Sequence, residues 1–194
     1  MAAANIVCAL IAAGMSKRFD GNKLEAMFNG QMLGTFAARQ LREANVGTCI
    51  AVTRLQSPLF NKWLASHGYT LIMNEYPDAG LSHSLALAAQ AAVDCGADAL
   101  LICLADMPFV PASHICALAS AFARDITASS SGTTAMPPAI FPRKTFAKLT
   151  TLTGDSGARS LLDLATPLPI DPEWLIDIDT RADLVQHSKS RPKR

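Results

Sequence analysis

Short runs of consecutive apolar residues recur along this chain, separated by segments in which apolar residues return every three or four positions. Such runs are typical of strands buried on both faces of a parallel sheet. They cover residues 6–12, 48–53, 70–73 and 99–105. The segments with helical spacing are residues 33–43, 58–66, 81–93 and 111–123. This alternation predicts an α/β fold with right-handed crossovers, in which ligands bind at the carboxyl ends of the strands.

The pattern becomes less regular after residue 125. Residues 129–134 are polar, and we expect them to form a flexible segment. The run 136–142 contains prolines, which cannot donate ladder hydrogen bonds, so it is predicted to be an edge strand. A short helix is expected within 156–164, capped near Asp155 or Ser156. A final strand and helix are expected within 174–185.

Size, composition and charge limit what the chain can be. Its 194 residues fit one domain, predicted over residues 1–187, and the basic tail 188–194 is expected to be disordered. Half of the residues are hydrophobic, enough for a substantial core. The net charge of +1 argues against nucleic acid or a membrane surface as a partner, and no apolar run approaches the length of a membrane span.

Two further features of the sequence predict a cytoplasmic protein. Residues 1–13 are apolar but lack the basic start of a signal peptide, so we expect them to contain the first strand. The five cysteines form no C-x-x-C pair, and most of them lie in apolar runs. Buried free thiols in a reducing compartment fit this pattern best.

The first apolar run leads directly into a small, glycine-bearing, cationic loop. Ala12, Ala13 and Gly14 lack bulk, so backbone N–H groups can approach phosphate oxygens, and Gly14 can adopt a positive φ. Arg18 and Lys23 bring the opposite charge. Neither G-x-x-x-x-G-K-[ST] nor G-x-G-x-x-G is present, and an ordinary turn with two exposed basic residues is the alternative. The residues expected to bind a nucleotide here are Leu10, Ala12, Ala13, Gly14, Ser16, Arg18 and Lys23.

A carboxylate, Asp106, directly follows the most hydrophobic run. Magnesium takes one or two carboxylates, keeps several waters and uses substrate phosphates for its remaining ligands, so a carboxylate at a strand end suits it. Pro108 and Pro111 follow closely, which makes a turn or helix cap the alternative role for Asp106.

The segment before the alanine-rich helix offers small polar groups. Gly80, Ser82 and Ser84 would lie at a helix N-terminus, where their donors and acceptors suit a pyrimidine edge or a ribose. Serines at this position are also common as simple caps. Both interpretations of these serines stay open.

Six segments resemble, in the same order, those of the MobA-like nucleotidyltransferases, and most closely the molybdenum cofactor cytidylyltransferases. They are A-A-G-x-S-x-R-F with a following lysine, G-L-S-x-S-L, L-A-D-M-P, P-P-A-I-F, G-D-S-G-A-R and D-I-D-T. The resemblance implies a three-layer Rossmann-like nucleotidyltransferase fold with a mixed, mostly parallel twisted sheet. It also implies Mg²⁺-dependent transfer of a nucleoside monophosphate from an NTP to a phosphorylated acceptor, with release of pyrophosphate.

The resemblance also assigns metal ligands. Asp106 falls in the metal-binding string of the family, and Asp179 corresponds to its second polar metal ligand. Asp177 is the second choice for that position, because it would point to the same side if the stretch is extended. A cap of the last helix is the alternative role for Asp179 and Thr180.

The acceptor site is assigned by two other segments. Pro138, Asp155 and Arg159 lie in segments that border the acceptor in the family, although Asp155 and Arg159 could instead form an ion pair at the start of a helix. Pro137 stands where histidine is usual and Arg181 where proline is usual. These departures leave the identity of the acceptor open.

Residues and resemblance together predict an enzyme that moves CMP from CTP onto molybdopterin, with a client molybdoenzyme as a further partner. The acceptor phosphate is already ionised, so catalysis reduces to alignment and charge neutralisation by Lys23, Arg18 and Asp106. The alternatives are a guanylyltransferase, a sugar- or alcohol-phosphate nucleotidyltransferase, and a non-catalytic pterin-binding chaperone for molybdoenzymes.

Overall fold

A computed structural model of the protein describes residues 4–132, 134–152 and 159–188. The strands are β1 (Ile6–Ile11), β2 (Met27–Phe28), β3 (Gln31–Met32), β4 (Thr48–Thr53), β5 (Thr70–Met73), β6 (Ala99–Leu104), β7 (Thr127–Ser130), β8 (Ala135–Pro142) and β9 (Thr166–Pro169). Within the described residues, seven of these form one sheet in the order β5, β4, β1, β6, β8, β7, β9, and β2 and β3 form a separate hairpin.

The sheet is mixed but mostly parallel. The strands β5, β4, β1 and β6 pair in parallel, and β9 is parallel to β7. Only β8 runs against its neighbours β6 and β7. This arrangement confirms the predicted α/β class and places the carboxyl ends of β4, β1 and β6 at one edge of the sheet.

Helices cover both faces of the sheet. They are α1 (Gly34–Ala44), α2 (Pro58–Ser66), α3 (Leu81–Asp94), α4 (Ala112–Ala121), α5 (Phe146–Thr150), α6 (Arg159–Leu162) and α7 (Arg181–His187). On β1, Cys8 and Leu10 pack with α1, α2 and α4, whereas Val7 and Ala9 pack with α3, α5 and α6. The result is three layers, with the sheet between two layers of helices. No helix in the described part of the chain is both long and apolar enough to traverse a bilayer.

The prediction that residues 136–142 form an edge strand is wrong, and the predicted flexible segment is wrong at Ser129 and Ser130. The strand β8 lies inside the sheet, between β6 and β7. Its pairing with β7 shifts register where Pro137 and Pro138 fall, so these two prolines lie in a bulge, where no ladder donor is needed. Ser129 and Ser130, expected in the flexible segment, are buried in β7.

The C-terminal part also differs from expectation. Residues 175–179, all described, form no strand, so extended pairing does not position Asp177 and Asp179. The helix expected within 156–164 is present as α6, and the proposed caps Asp155 and Ser156 lie outside the described residues. Of the basic tail, Ser188 closes the last turn of α7, and residues 189–194 lie outside the described part.

Candidate functional site

The carboxyl edge of the sheet is held in register by backbone bonds just beyond the strands. The Ala12 N–H donates to the Val52 carbonyl at 2.8 Å, and the Ala105 N–H donates to the Ile11 carbonyl at 3.0 Å. The residue after β6 and the loop after β1 therefore emerge side by side. Because parallel strands all end here, side chains from distant parts of the sequence meet at this edge.

The segment 12–22, here called the β1 loop, is anchored by its own aromatic residue. Phe19 is buried in a small apolar cluster with Phe28 and Ile178. Its N–H donates to the Ser16 carbonyl at 2.9 Å, which closes a turn in which Ser16 has a φ of 55°. The loop has a positive φ at Ser16, Asp20 and Gly21, and not at Gly14 as the sequence suggested. A Cβ at Gly14 would meet no atom within 4 Å, so the glycine leaves open space in front of the loop.

Lys23 follows this loop and is the centre of the site. Its ammonium nitrogen lies 2.8 Å from Asp106 Oδ2 and 3.0 Å from Asp179 Oδ1. The residue is only 6% exposed. Burial lowers the pKa of Lys23, but the two carboxylates more than offset this and leave the pKa above its ordinary value. The lysine is therefore charged at neutral pH.

Asp179 is the second junction of the site. Its Oδ2 accepts from Arg18 Nη2 at 2.6 Å, so one carboxylate bridges Arg18 and Lys23. The start of α7 fixes its position: Thr180 caps the helix, and the Asp183 carboxylate accepts from the N–H groups of Asp179 and Thr180. Thr180 thus forms the predicted cap, while the Asp179 side chain faces the cations.

A third carboxylate, Asp177, belongs to the same electrostatic neighbourhood. Partial burial raises the pKa of Asp177, and repulsion by Asp179 and Asp106 raises it further. Lys23 acts in the opposite direction but does not cancel these effects. Asp177 is therefore disfavoured as an anion by its two acidic neighbours, although Asp106 and Asp179 are themselves paired with cations.

The donor set fits a magnesium ion better than a soft metal. No group of three histidine, cysteine or acidic side chains within the described residues is arranged to hold a metal on its own. Asp106 and Asp179, however, both lie within 3.0 Å of one ammonium group, and their side chains are partly open to solvent. Two carboxylates with waters and substrate phosphates make up a typical magnesium site.

A pocket of about 320 Å³, here called the loop pocket, opens beside this cluster. The β1 loop forms one wall, and the N-terminus of α3 with the segment before it forms the opposite wall. Lys17 and Asp78 face each other across it at 3.9 Å, both largely exposed. The other residues that line the pocket are Ile11, Ala12, Ala13, Gly14, Met15, Ser16, Lys23, Leu24, Pro77, Gly80, Leu81, Ser84, Leu104 and Asp106.

Three predicted nucleotide contacts, Leu10, Arg18 and Ser82, do not line the loop pocket. Leu10 is fully buried in the core beneath the sheet, and Ser82 is buried away from the opening. Ser84 does line it, and its hydroxyl oxygen accepts from Asn74 Nδ2 at 3.0 Å. Arg18 reaches the site through Asp179. The roles of these residues stay predictions.

A second, apolar pocket of about 250 Å³ adjoins the loop pocket and shares Leu81 and Leu104 with it. Arg159 and Pro137 contribute to its wall. Pro138 lies on the other side of β8, buried against the α4 side, where its carbonyl accepts from the Ser129 hydroxyl at 2.7 Å. The structure therefore brings Arg159 and Pro137 to this pocket, but not Pro138, and Asp155 lies outside the described residues.

Sequence reasoning missed three polar residues near the site. Lys17 and Asp78 lie within the segments that it singled out, but no one-dimensional pattern indicated that they would face each other. Arg54 is the first residue after β4, as Asp106 is the second after β6, and that strand-end position is a signal that could have identified it.

Comparisons with known proteins agree with this geometry. The family model described as MobA-like NTP transferase domain matches residues 8–169. The purine catabolism protein PucB of Bacillus subtilis is 27% identical over 165 residues, which cover 81% of this chain and 80% of PucB.

Two solved structures share the fold. Rv0371c of Mycobacterium tuberculosis, in complex with manganese, has a TM-score of 0.82 at 22% identity and covers 96% of this chain and 100% of its own. The inositol-1-phosphate CTP transferase of T. maritima has a TM-score of 0.69 at 17% identity, covering 96% and 97%. At these identities the likeness shows the fold alone.

Proposed function

The chain belongs to the MobA-like NTP transferase family, and we propose that it transfers CMP from CTP to a phosphorylated acceptor, for which molybdopterin is the first candidate. The observation that carries this proposal is the position of Lys23 between Asp106 and Asp179, at the wall of the loop pocket. A buried cation shared by two acids beside an open, glycine-bearing loop suits the handling of a triphosphate and a divalent ion.

The loop pocket has the parts needed for a nucleoside triphosphate. The β1 loop supplies backbone N–H groups around Gly14 for the phosphates, where no side chain blocks their approach. The opposite wall supplies Gly80 and the Ser84 hydroxyl for the base or ribose. A CTP transferase among the proteins of the same fold makes CTP the first choice.

Asp106 and Asp179 are the residues that would hold Mg²⁺. The ion would supply neutralising charge near the reacting phosphates. Lys23 remains beside both carboxylates and donates to the oxygens of the α-phosphate, where charge develops as the acceptor phosphate attacks. Arg18, 73% exposed at its side chain, reaches outward from Asp179 and assists the departure of pyrophosphate. No residue needs to remove a proton, because the acceptor is already an anion.

The acceptor is assigned to the apolar pocket beside the loop pocket. The two pockets are adjacent because Leu81 and Leu104 line both of them. Arg159, in the wall of the apolar pocket, can pair with an anionic acceptor. Delivery of the product to a client molybdoenzyme and action in the reducing cytoplasm, where five free cysteines are stable, complete the proposal.

The test is release of pyrophosphate from each of the four NTPs with Mg²⁺ and molybdopterin. Turnover with CTP and no other NTP is the expected result. Turnover with GTP assigns a guanylyltransferase, and turnover with sugar or alcohol phosphates in place of molybdopterin assigns a different acceptor class. Binding of nucleotide or pterin without any turnover overturns the enzymatic proposal and assigns a chaperone.

A further inference from the structure

Arg54 is a buried cation that the proposed chemistry does not yet use. It follows β4 directly, at the same edge of the sheet as the β1 loop, and is only 6% exposed. Its Nη1 lies 3.4 Å from the sulfur of Met15, a residue that lines the loop pocket. The guanidinium therefore lies behind Met15, beside the wall of that pocket.

No acidic group in the described parts of the chain neutralises this guanidinium. Arg54 has no carboxylate oxygen within 4.0 Å there, and its buried Nε has no hydrogen-bond partner. Burial lowers the pKa of Arg54, and Glu25 raises it only in part. The Glu25 carboxylate accepts instead from the Phe60 N–H at 3.0 Å, at the start of α2. A buried, unpaired charge is costly, and an anionic partner would remove that cost.

Hydrogen bonds fix the backbone around Arg54 and connect it to Asn22, which precedes Lys23. Its carbonyl accepts from Asn61 Nδ2 at 2.8 Å and from the Ser57 N–H at 3.3 Å. Asn22, adjacent to Lys23, donates to the Gln56 carbonyl at 2.9 Å. The turn that carries Arg54 is therefore tied to the end of the β1 loop, so the backbone of Arg54 has a defined position relative to that of Lys23.

Three cations of this edge, Lys23, Arg18 and Arg54, differ in how far acidic side chains already neutralise them. Lys23 is shared by two carboxylates, and Arg18 is paired with one of them. Arg54 alone among these three has no acidic partner within the described residues. A triphosphate carries several negative charges, and the β and γ groups extend away from the site of attack, along the loop that binds them. Lys17 also lines the pocket but faces Asp78, so Arg54 is the buried cation that is still without an anionic partner in the described part of the chain and able to neutralise them.

We propose that Arg54 is a ligand of the terminal phosphates of the bound nucleoside triphosphate, reached when the side chain of Met15 moves aside. This inference rests on the proposed function. It assigns to Arg54 a share in selecting triphosphates over monophosphates, because only the triphosphate extends to this end of the loop. Its Nε–H and Nη–H groups then obtain charge-assisted bonds that the free protein does not provide.

The experiment compares the binding of CTP, CMP and pyrophosphate, each at constant Mg²⁺, by isothermal titration calorimetry. Arg54→Met keeps the length of the side chain and removes the charge, and Arg54→Lys keeps the charge without the fork. We expect Arg54→Met to weaken CTP and pyrophosphate by about tenfold or more and CMP by less than about twofold, as for the loss of a bond to a charged group. Arg54→Lys should retain part of the preference for CTP. Arg143→Met, at the opposite edge of the sheet, is the matched control and should bind like the wild type.

Thermal unfolding without nucleotide separates this role from a structural one. Removing an unpaired buried charge should leave the Tm of Arg54→Met equal to or above that of the wild type. The inference is overturned if Arg54→Met and Arg54→Lys both keep the wild-type ratio of CTP to CMP affinity, or if all three ligands weaken equally while Tm falls. A wild-type protein that binds no NTP would instead overturn the proposed function itself.

Discussion

A lysine that is almost entirely removed from water normally lowers stability, yet Lys23 is buried at the centre of this site. Two carboxylates within 3.0 Å compensate for its loss of hydration. The same ammonium group lies where the charge of a reacting phosphate would develop. Its position therefore serves both the stability of the free protein and the proposed chemistry.

Replacement of Lys23 tests the chemistry directly. We expect Lys23→Ala to lower the rate of pyrophosphate release by about 100-fold or more, the range for removal of a key electrostatic group. Lys148→Ala, an exposed lysine on α5, should leave the rate unchanged. Steady-state assays at saturating CTP and Mg²⁺ measure both variants. A rate close to that of the wild type in Lys23→Ala removes this lysine from the mechanism.

A buried histidine outside the site, His114, predicts that the stability of the protein depends on pH. Burial lowers the pKa of His114. The Ser129 hydroxyl donates its one proton to the Pro138 carbonyl, so His114 Nε2 must donate to Ser129 at 2.8 Å. A protonated imidazole is disfavoured in this environment, whereas the unfolded chain binds the proton near pH 6.5. The contribution of neutral His114 to the free energy of unfolding is therefore complete above about pH 6.5. It is lost as pH falls through the lowered pKa of His114 in the folded state.

Urea unfolding at pH 7.5, 6.5 and 5.5 measures this effect. Wild-type protein should lose more of its free energy of unfolding over this interval than His114→Gln, because the glutamine cannot take up a proton. Replacement of the exposed His67 by glutamine serves as the control, and its free energy of unfolding should change with pH as that of the wild type does. Parallel slopes for wild type and His114→Gln would show that this histidine does not cause the dependence.

At the scale of elements, helix α7 and the β1 loop hold each other through Arg181. Its Nη2 donates to the Asp20 carbonyl at 2.8 Å, and its guanidinium lies 5.3 Å from the centre of the Phe19 ring. Asp179 precedes Thr180, the N-cap of this helix, and Arg18 and Lys23 lie on either side of the contacted residues Phe19 and Asp20. The contact thus connects the two segments whose side chains form the site, at a position where the sequence departs from the expected proline.

Loss of this contact should act on metal binding more than on chemistry. A guanidinium–aromatic contact at an exposed site contributes about 0.5–1 kcal/mol. We expect Arg181→Met to raise the Mg²⁺ concentration needed for half-maximal rate by about two- to fivefold, with little change in kcat at saturating Mg²⁺. Arg181→Lys should restore part of the loss. Equal Mg²⁺ dependence in the wild type and Arg181→Met would show that the contact does not position Asp179.

The elements also show where the sequence was and was not sufficient. The strands β1, β4, β5 and β6 and the helices between them were predicted within about two residues, because each is a run with one clear period. The position of β8 inside the sheet was not predicted. Prolines normally indicate an edge strand, but here Pro137 and Pro138 lie in a bulge, where no ladder donor is needed. The strand β9 carries two prolines and no continuous apolar run, so nothing local distinguishes it from a loop.

At the scale of the whole molecule, the sequence predicted which residues would meet, but not how. Convergence of Lys23, Asp106 and Asp179 follows from strand ends and from the family resemblance. The direct ion pairs between them, and the bridging of Asp179 to Arg18, depend on side-chain directions that one dimension does not contain. Leu10 shows the reverse. Its place in the motif suggested contact with the nucleotide, whereas the alternation along β1 turns its side chain into the core beside α1, α2 and α4.

This network of ion pairs makes ligand binding a property of the assembled molecule. In the free protein Lys23 and Arg18 already neutralise the two proposed metal ligands, so Mg²⁺ alone competes with an ammonium group and should raise Tm only slightly. CTP gives Lys23 another anion to contact, so Mg²⁺ and CTP together should raise Tm by more than the sum of their separate effects.

In Lys23→Met the ammonium group that competes with Mg²⁺ is absent, and Mg²⁺ alone should stabilise the protein more than it stabilises the wild type. Differential scanning fluorimetry with each ligand alone and with both measures these shifts. Strictly additive shifts in the wild type, with no gain for Mg²⁺ in Lys23→Met, would mean that the metal and the lysine do not share these carboxylates.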